Sequence, residues 1–313
     1  MSGRIVISGA GGQLGSTLAA LAADQGREVR AYTSSQWDIT DPAAAERIEA
    51  GDVVINCAAY TDVDGAESDQ DRAHAVNAAG PGYLAQACAR AGARLIHVST
   101  DYVFGGGASG GGASGGDPAH VASRPYEPSD PTAPAGVYGR TKLAGERAVL
   151  AALPDARQGV VVRTAWVYTG GTGKDFVAVM RRLAAGDGPV NVVDDQTGSP
   201  TYVGDLAAAL LQVADDGVPG PVLHAANEGA VSRFEQARAV FEECGGDPSR
   251  VRPVSTAQFP RPAPRPVYSA LGGEQSRAAG LRPLRPWREA LVAALAAAGG
   301  VAAGDRPLPS TRA

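Results

Sequence analysis

Tyr138 and Lys142 stand four residues apart in "VYGRTKLAGE" (137–146), so on a helix they share one face, one turn apart. A phenol with its ordinary pKa of about 10 exchanges protons poorly near neutrality, and a neighbouring cation favours the phenolate. Thr100 closes the apolar run "RLIHVST" (94–100), which reads as a strand. A hydroxyl at that strand end could hold a carbonyl oxygen while the phenol protonates it. Alone, a Tyr/Lys pair at this spacing is usually only a solvated helix face, so the surrounding elements decide.

Those elements alternate. "RIVIS" is a short apolar strand, followed by Gly9, Gly12 and Gly15 in GxxGxxG spacing and a helix from about Ser16. Further strands read at 28–33, 52–60, 94–100, 159–168, 189–195 and 221–227, and helices at 41–50, 67–92, 142–152, 174–186, 203–215 and 286–299. The alternation predicts an α/β fold: a doubly wound parallel sheet, of the Rossmann type, with right-handed crossovers. A nucleotide-binding domain is expected over 1–165 plus about 195–225. A smaller C-terminal substrate lobe is expected from about 166–194 plus 226–300, and a disordered tail over 301–313.

Composition excludes other classes. The net charge is −5 and the pI near 5.4, which argues against a nucleic-acid partner with its basic face. No 18-residue apolar run and no signal-like N-terminus are present, so no membrane partner and a cytoplasmic location are expected. Cys57, Cys88 and Cys244 lack CxxC spacing, and His74, His97, His120 and His224 form no ligand pair, so no metal centre built on Cys or His is expected.

Glycines between a buried strand and a helix let a pyrophosphate approach the helix N-terminus, which predicts dinucleotide binding. The acid that usually ends the second strand and holds the ribose 2′-hydroxyl of NADH is missing. Tyr32, Thr33, Ser34 and Ser35 stand there, with Arg30 nearby, which favours NADPH while leaving NADH open. Residues 105–116, "GGGASGGGASGG", read as a flexible loop, either a substrate lid or an inert insertion.

Taken together, "GAGGQLG", "WDITD", "DVVINCAAYTDVDGAESD", "HVSTDYVF", "VYGRTKLAGE", "RTAWVY" and "DDQTGSPTYVGDLA" resemble the dTDP-4-dehydrorhamnose reductase family of extended short-chain dehydrogenase/reductases. The resemblance implies reduction of the C4 ketone of a dTDP-keto-deoxysugar, dTDP-4-dehydro-L-rhamnose, by NAD(P)H. It implies Thr100, Tyr138 and Lys142 as the catalytic set, with Lys142 both tuning the phenol and gripping the cofactor ribose. It further implies Gly9, Gly12, Gln13, Leu14 and Gly15 at the cofactor phosphates, Asp38 and Ile39 beside the adenine, and Ala58, Ala59, Tyr60 and Asn77 at the nicotinamide wall. Asp101, Tyr102, Phe104, Trp166 and Gln196 would face the substrate.

The chain departs from the family pattern in three places: the glycine-rich insertion, Asp175 for asparagine in "GKDFV", and "SALGG" for "SxLD". A related 4-ketoreductase of antibiotic biosynthesis, such as TDP-dihydrostreptose synthase, is the alternative enzyme. A non-catalytic regulatory homologue is the remote alternative. No motif decides between monomer and homodimer or settles a divalent-metal requirement.

Overall fold

The computed structural model describes residues 3–105, 124–171 and 173–299. The central sheet is built from Ile5–Ser8 (β1), Val29–Tyr32 (β2), Val53–Asn56 (β3), Arg94–Thr100 (β4), Gly159–Thr164 (β5) and Val222–His224 (β6). All five pairings are parallel, in the order β6-β5-β4-β3-β1-β2. Every residue of β1, β3 and β5 is buried, as expected of strands covered on both faces. The chain leaves β1 for β2 on one side and returns past it to β3 on the other. Strand order therefore reverses between β1 and β3, where such sheets open a ligand crevice at their carboxyl edge.

The principal helices are Gln13–Asp24 (α1), Gly80–Ala91 (α2), Val137–Ala152 (α3), Phe176–Ala184 (α4), Val203–Asp216 (α5), Arg233–Glu243 (α6) and Trp287–Ala297 (α7). Leu18 of α1 and Leu206 and Leu210 of α5 pack on Ile5, Ile7 and Val162 on one face of the sheet. Leu84 of α2 and Val149 of α3 pack on Val6, Val54 and Val161 on the other, so the sheet is doubly wound. A further cluster around Tyr168, Met180, Phe241 and Leu291 joins α4, α6 and α7, beside a parallel pair formed by Val190–Val193 and Val251–Val254.

Several expected elements differ: the strand expected at 52–60 ends at Asn56, and the helix expected at 142–152 already begins at Val137. The helix expected at 41–50 is a 3₁₀ turn, Pro42–Arg47, capped by Asp41. The stretch 67–92 is not one helix: it runs through Gly65–Ser68 and Gln70–His74, then a π-helical turn at Ala75–Ala79, before α2. The strand expected at 159–168 breaks after Thr164, because Trp166 adopts a left-handed backbone (φ 49°) before Val167–Tyr168 resumes. That conformation is a genuine outlier for a bulky residue. The strand expected at 221–227 stops at His224, and Asn227–Glu228 pairs separately with Leu284–Pro286. Residues 106–116 of the glycine-rich segment and the 301–313 tail lie outside the described residues. Among the described residues no helix is long and apolar enough to cross a membrane.

Candidate active site

The glycine turn fits a dinucleotide by its close approaches. Gly9 has φ +74°, and a Cβ there would lie 2.5 Å from the Ala58 backbone nitrogen. A Cβ on Gly15 would lie 2.4 Å from the Gly9 carbonyl oxygen, so only glycine lets α1 sit this close behind the turn. The helix starts at Gly12 with no side-chain cap, which leaves its first N–H groups for an anion. Gln13 is exposed and donates to Asp175 Oδ2 at 3.1 Å, while Leu14 packs partly against the sheet.

At the end of β2, Arg30 pairs with Glu49 at 3.7 Å, beside the start of β3, and so points away from the crevice edge. The cation at Tyr32 is Arg47, whose guanidinium lies 4.9 Å from that ring and 5.5 Å from Trp37. Sequence reading missed Arg47 because it reaches Tyr32 from the 3₁₀ turn. Asp38 is exposed and accepts from Thr40, which with its hydroxyl holds the carboxyl below its usual range. Ile39, expected beside it at the adenine, is instead 4% exposed and packed in the core under α2.

Ala58, Ala59 and Tyr60 follow β3 and are half-buried. Asn77, expected at the nicotinamide wall, is fully buried behind Tyr60. Its side chain accepts from Tyr60 N at 2.8 Å and donates to Tyr60 O at 3.1 Å and Thr141 Oγ1 at 3.2 Å. Asn77 therefore clamps the wall from behind, and the π turn is what swings it there; such turns recur at functional sites.

Helix α3 brings Tyr138 and Lys142 to the carboxyl edge of β4. Its own N-cap, Gly136, has no side chain to cap it, and Glu67 supplies the acceptor for Val137 N at 2.8 Å. Tyr138 lies beside Thr100, and its ring meets that of Tyr102 edge-on at 5.4 Å. Burial pushes the phenol above its ordinary value, with Thr100 opposing. The expected coupling of ammonium to phenol is not the arrangement found. Lys142 Nζ donates to Val98 O at 2.7 Å, and its charged or polarisable neighbours are Glu146 and Cys57. Burial lowers Lys142 to about 8, with Glu146 opposing.

Thr100 Oγ1 donates to Asp101 Oδ1 at 3.0 Å and accepts from Tyr102 N at 3.2 Å. Asp101 is buried and also accepts from Ser269 Oγ at 2.6 Å. Burial raises its carboxyl to about 6, against the Ser269 and Thr100 hydrogen bonds and the charge of Arg233. Tyr102 is half-buried beside this group. Phe104 is a correction: it is 0% exposed, stacked on Tyr126 with ring centroids 4.3 Å apart, and belongs to the core with Leu143 and Leu271. The 3₁₀ turn Asp101–Val103 rotates it away from the edge that Thr100 and Asp101 occupy.

Trp166 lies on Gly198, and the Arg233 guanidinium stacks 3.5 Å from its ring centroid. Gln196 is half-buried and donates to Thr256 Oγ1 at 2.9 Å. Arg233 itself was missed: no local motif marks it, and only the fold sets it against Trp166, Asp101 and Tyr102. A cavity of about 550 Å³ opens beside Arg124, His224, Leu271 and Gln275, and none of the candidate residues lines it.

Two departures from the family pattern have local explanations. Asp175 caps α4 by accepting from Ala178 N at 2.9 Å, a task that Asp and Asn share, while its second oxygen accepts from Thr169 Oγ1 at 2.9 Å and from Gln13, which an amide nitrogen in its place could not do. Beside Gly272, Glu127 supplies the missing carboxylate: it accepts from Glu274 N at 3.1 Å and Gln275 N at 3.0 Å, the open end of the short helix Glu274–Ala278.

The parallel sheet, the glycine turn at its reversal point and the Tyr-x-x-x-Lys helix define a short-chain dehydrogenase/reductase of the extended type. Comparison with known proteins narrows this. The family model described as the RmlD substrate binding domain matches residues 3–299. The chain is 72% identical to the dTDP-4-dehydrorhamnose reductase of Mycobacterium tuberculosis, over 99% of this chain and 98% of that one. The crystal structure of a dTDP-4-dehydrorhamnose reductase from Clostridium acetobutylicum superposes with a TM-score of 0.84 at 36% identity, covering 94% of this chain and 99% of that one. The reductase from Bacillus anthracis, solved in complex with NADP, superposes with a TM-score of 0.80 at 34% identity, covering 93% and 98%. The chain belongs to the dTDP-4-dehydrorhamnose reductase family.

Proposed function

We propose that the protein reduces the C4 ketone of dTDP-4-dehydro-L-rhamnose to dTDP-L-rhamnose with NADPH. The observation that carries this reading is the meeting of Thr100 and Tyr138 at the carboxyl edge of β4, in a chain of this family. NADPH, when bound, supplies the hydride. The cradle formed by Gly9, Gly12 and Gly15 fits its pyrophosphate, and Arg47 over the Tyr32 ring at the end of β2, with the hydroxyls of Thr33 and Ser35 that follow it in sequence, suits a 2′-phosphate.

Tyr138 gives a proton to the C4 oxygen. Thr100 turns its proton from Asp101 to the same oxygen, so the developing alkoxide meets two donors. Lys142, lowered to about 8 and so still mostly protonated at neutral pH, keeps a positive charge near the site as the phenol loses its proton. Ala58, Ala59 and Tyr60 form the nicotinamide wall that Asn77 clamps. Residues 166–194 and 226–300 make the lobe that holds the nucleotide sugar, with Trp166, Arg233 and Gln196 on its inner side. A cytoplasmic setting suits this chemistry.

The test is product analysis by NMR after supplying the purified protein with dTDP-4-dehydro-L-rhamnose and NADPH. Appearance of dTDP-L-rhamnose, with turnover lost by about 10²–10⁴-fold in Tyr138→Phe while NADPH still binds, supports the reading. A ring-contracted furanose, or unchanged turnover in Tyr138→Phe, overturns the product or the proton donor respectively.

A further inference from the structure

Glu146 follows Lys142 by one more helical turn, so Tyr138, Lys142 and Glu146 lie at i, i+4 and i+8 on one face of α3. A carboxylate at this point is buried, with Glu146 at 2% exposure. It accepts from Arg163 Nε at 2.9 Å and Arg163 Nη2 at 2.7 Å, the two-pronged geometry of strong arginine–carboxylate pairs. Its Oε1 also accepts from Ser99 Oγ at 2.5 Å. Arg163 comes from β5, is itself buried and lies over the Phe104 ring.

The partners on β4 are consecutive. Lys142 holds the Val98 carbonyl, Glu146 holds the Ser99 hydroxyl, and Tyr138 meets Thr100. A buried carboxylate with a buried guanidinium is seldom a gain in stability over an apolar pair, which leaves its directional bonds as the reason to look for a role. We propose that Glu146 is a positioning residue for the reduction: by tying α3 to Ser99 and Arg163 it sets the distance at which Lys142 and Thr100 work, one helical turn from the ammonium. The proposal rests on the assignment of Tyr138, Thr100 and Lys142 given above.

The charges facing Lys142 make its titration specific to Glu146. From its own helix the ammonium faces Glu146, from the end of β3 the Cys57 thiol, and from β4 the His97 imidazole, which burial keeps neutral. Arg163, which faces Glu146 from β5, also faces His224 at the end of β6. Of these groups only Glu146 carries a negative charge at neutral pH. Removing it lets the ammonium lose its proton at lower pH, so activity that needs the charged lysine fails earlier as pH rises.

Three variants test this, with Tyr138→Phe as the reference for the site itself. In Glu146→Gln combined with Arg163→Gln, the buried guanidinium is not left without its carboxylate, and Lys142 alone loses its facing negative charge. Its kcat is expected to fall about 10–100-fold, and the alkaline limb of its kcat/KM profile to move about 1 pH unit lower, while the NADPH dissociation constant, read by nucleotide fluorescence, stays within threefold. Ser99→Ala, a small change that retains the ion pair, is expected to lower kcat several-fold without moving the alkaline limb. Glu146→Asp, which keeps the charge but shortens the reach, is expected to restore the alkaline limb and not kcat. Wild-type kcat in Ser99→Ala, or a wild-type pH profile in a folded double variant, overturns the proposal. If the double variant does not fold, Ser99→Ala and Glu146→Asp decide it. If Tyr138→Phe is also fully active, the assignment of the site has failed and not merely the role of Glu146.

Discussion

Glu127 fills the space that a side chain on residue 272 would need: a Cβ built on Gly272 would lie 2.1 Å from Glu127 Oε1. One carboxylate thus comes from a segment far away in sequence to hold the start of Glu274–Ala278. Glu127→Ala is expected to cost about 1 kcal/mol, the usual worth of a helix cap. Gly272→Asp alone is expected to cost about 1–3 kcal/mol through overpacking. The combined variant should be more stable than the sum of the two predicts, because the new acid enters vacated space. Urea unfolding of the four proteins measures the coupling, and simple additivity would sink the exchange.

That contact also marks the boundary of what the sequence reveals. The sheet was legible because its strands are apolar runs such as Ile5–Ile7 and Leu95–Val98, and because α1 begins at spaced glycines. Tyr138, Lys142 and Thr100 were legible as types, since one helical turn and one strand end specify them. Their electrostatics were not, because the ammonium is drawn to Val98 O by a strand that the spacing alone does not mention. Phe104 was misread through its nearness to Asp101, since only the intervening 3₁₀ turn shows that the ring enters the core. Arg47, Arg233 and Glu127 act on partners from other parts of the fold, and no periodicity carries that information.

Gly15 offers the sharpest test of the cofactor cradle. A methyl group there would meet backbone on two sides, the Gly9 oxygen at 2.4 Å and the Ala10 Cα at 2.8 Å. Backbone cannot move aside as a flexible side chain can, so the glycine turn must shift. Gly15→Ala is therefore expected to weaken NADPH binding at least 10-fold, by analogy with losses of about 1–3 kcal/mol on overpacking. Fluorescence titration with NADPH checks it, and wild-type affinity would remove Gly15 from the cradle.

Stability should carry two opposite pH signatures from the site. Asp101 is raised from 3.8 to about 6, so between these values its own contribution to stability falls as pH rises, against the opposite contribution of His97 and His224, both lowered by burial. Lys142 is lowered from 10.5 to about 8, so between about 8 and 10.5 the unfolded state binds more protons and stability rises with pH. Relative to wild type, Asp101→Asn should make stability rise more steeply with pH in the first window, and Lys142→Met should make it rise less or fall in the second, where burial of Cys57 and Cys88 opposes Lys142. Urea midpoints measured across both windows decide the matter, and an unchanged slope in either variant would show that the group does not carry it.

Arg233 sits at the site without a carboxylate partner among the described residues, its guanidinium donating to Gln236 Oε1 at 3.3 Å. Burial lowers it to about 10, yet among the described residues it makes no ion pair; it stacks on Trp166 and lies 4.8 Å from the centre of Phe176. Tyr102 and Asp101 oppose that lowering, and Arg265, already paired with Asp64 at 2.9 Å, adds a like charge nearby. A half-buried guanidinium in this position is costly unless an anion arrives, and the diphosphate of the nucleotide sugar is such an anion. A charge-assisted bond of this kind contributes about 1.5–3 kcal/mol, or roughly 10–100-fold in affinity. Arg233→Met should raise the KM for the keto-sugar nucleotide by that factor and leave kcat and NADPH affinity nearly unchanged, the pattern of a contact made equally in ground and transition states. Arg233→Lys should recover little of the loss, because a point charge can neither stack on the indole nor grip two phosphate oxygens at once. Steady-state kinetics with both variants measure it: a fall in kcat at constant KM would move Arg233 from substrate binding to the chemical step, and no change in either would return it to packing against Trp166.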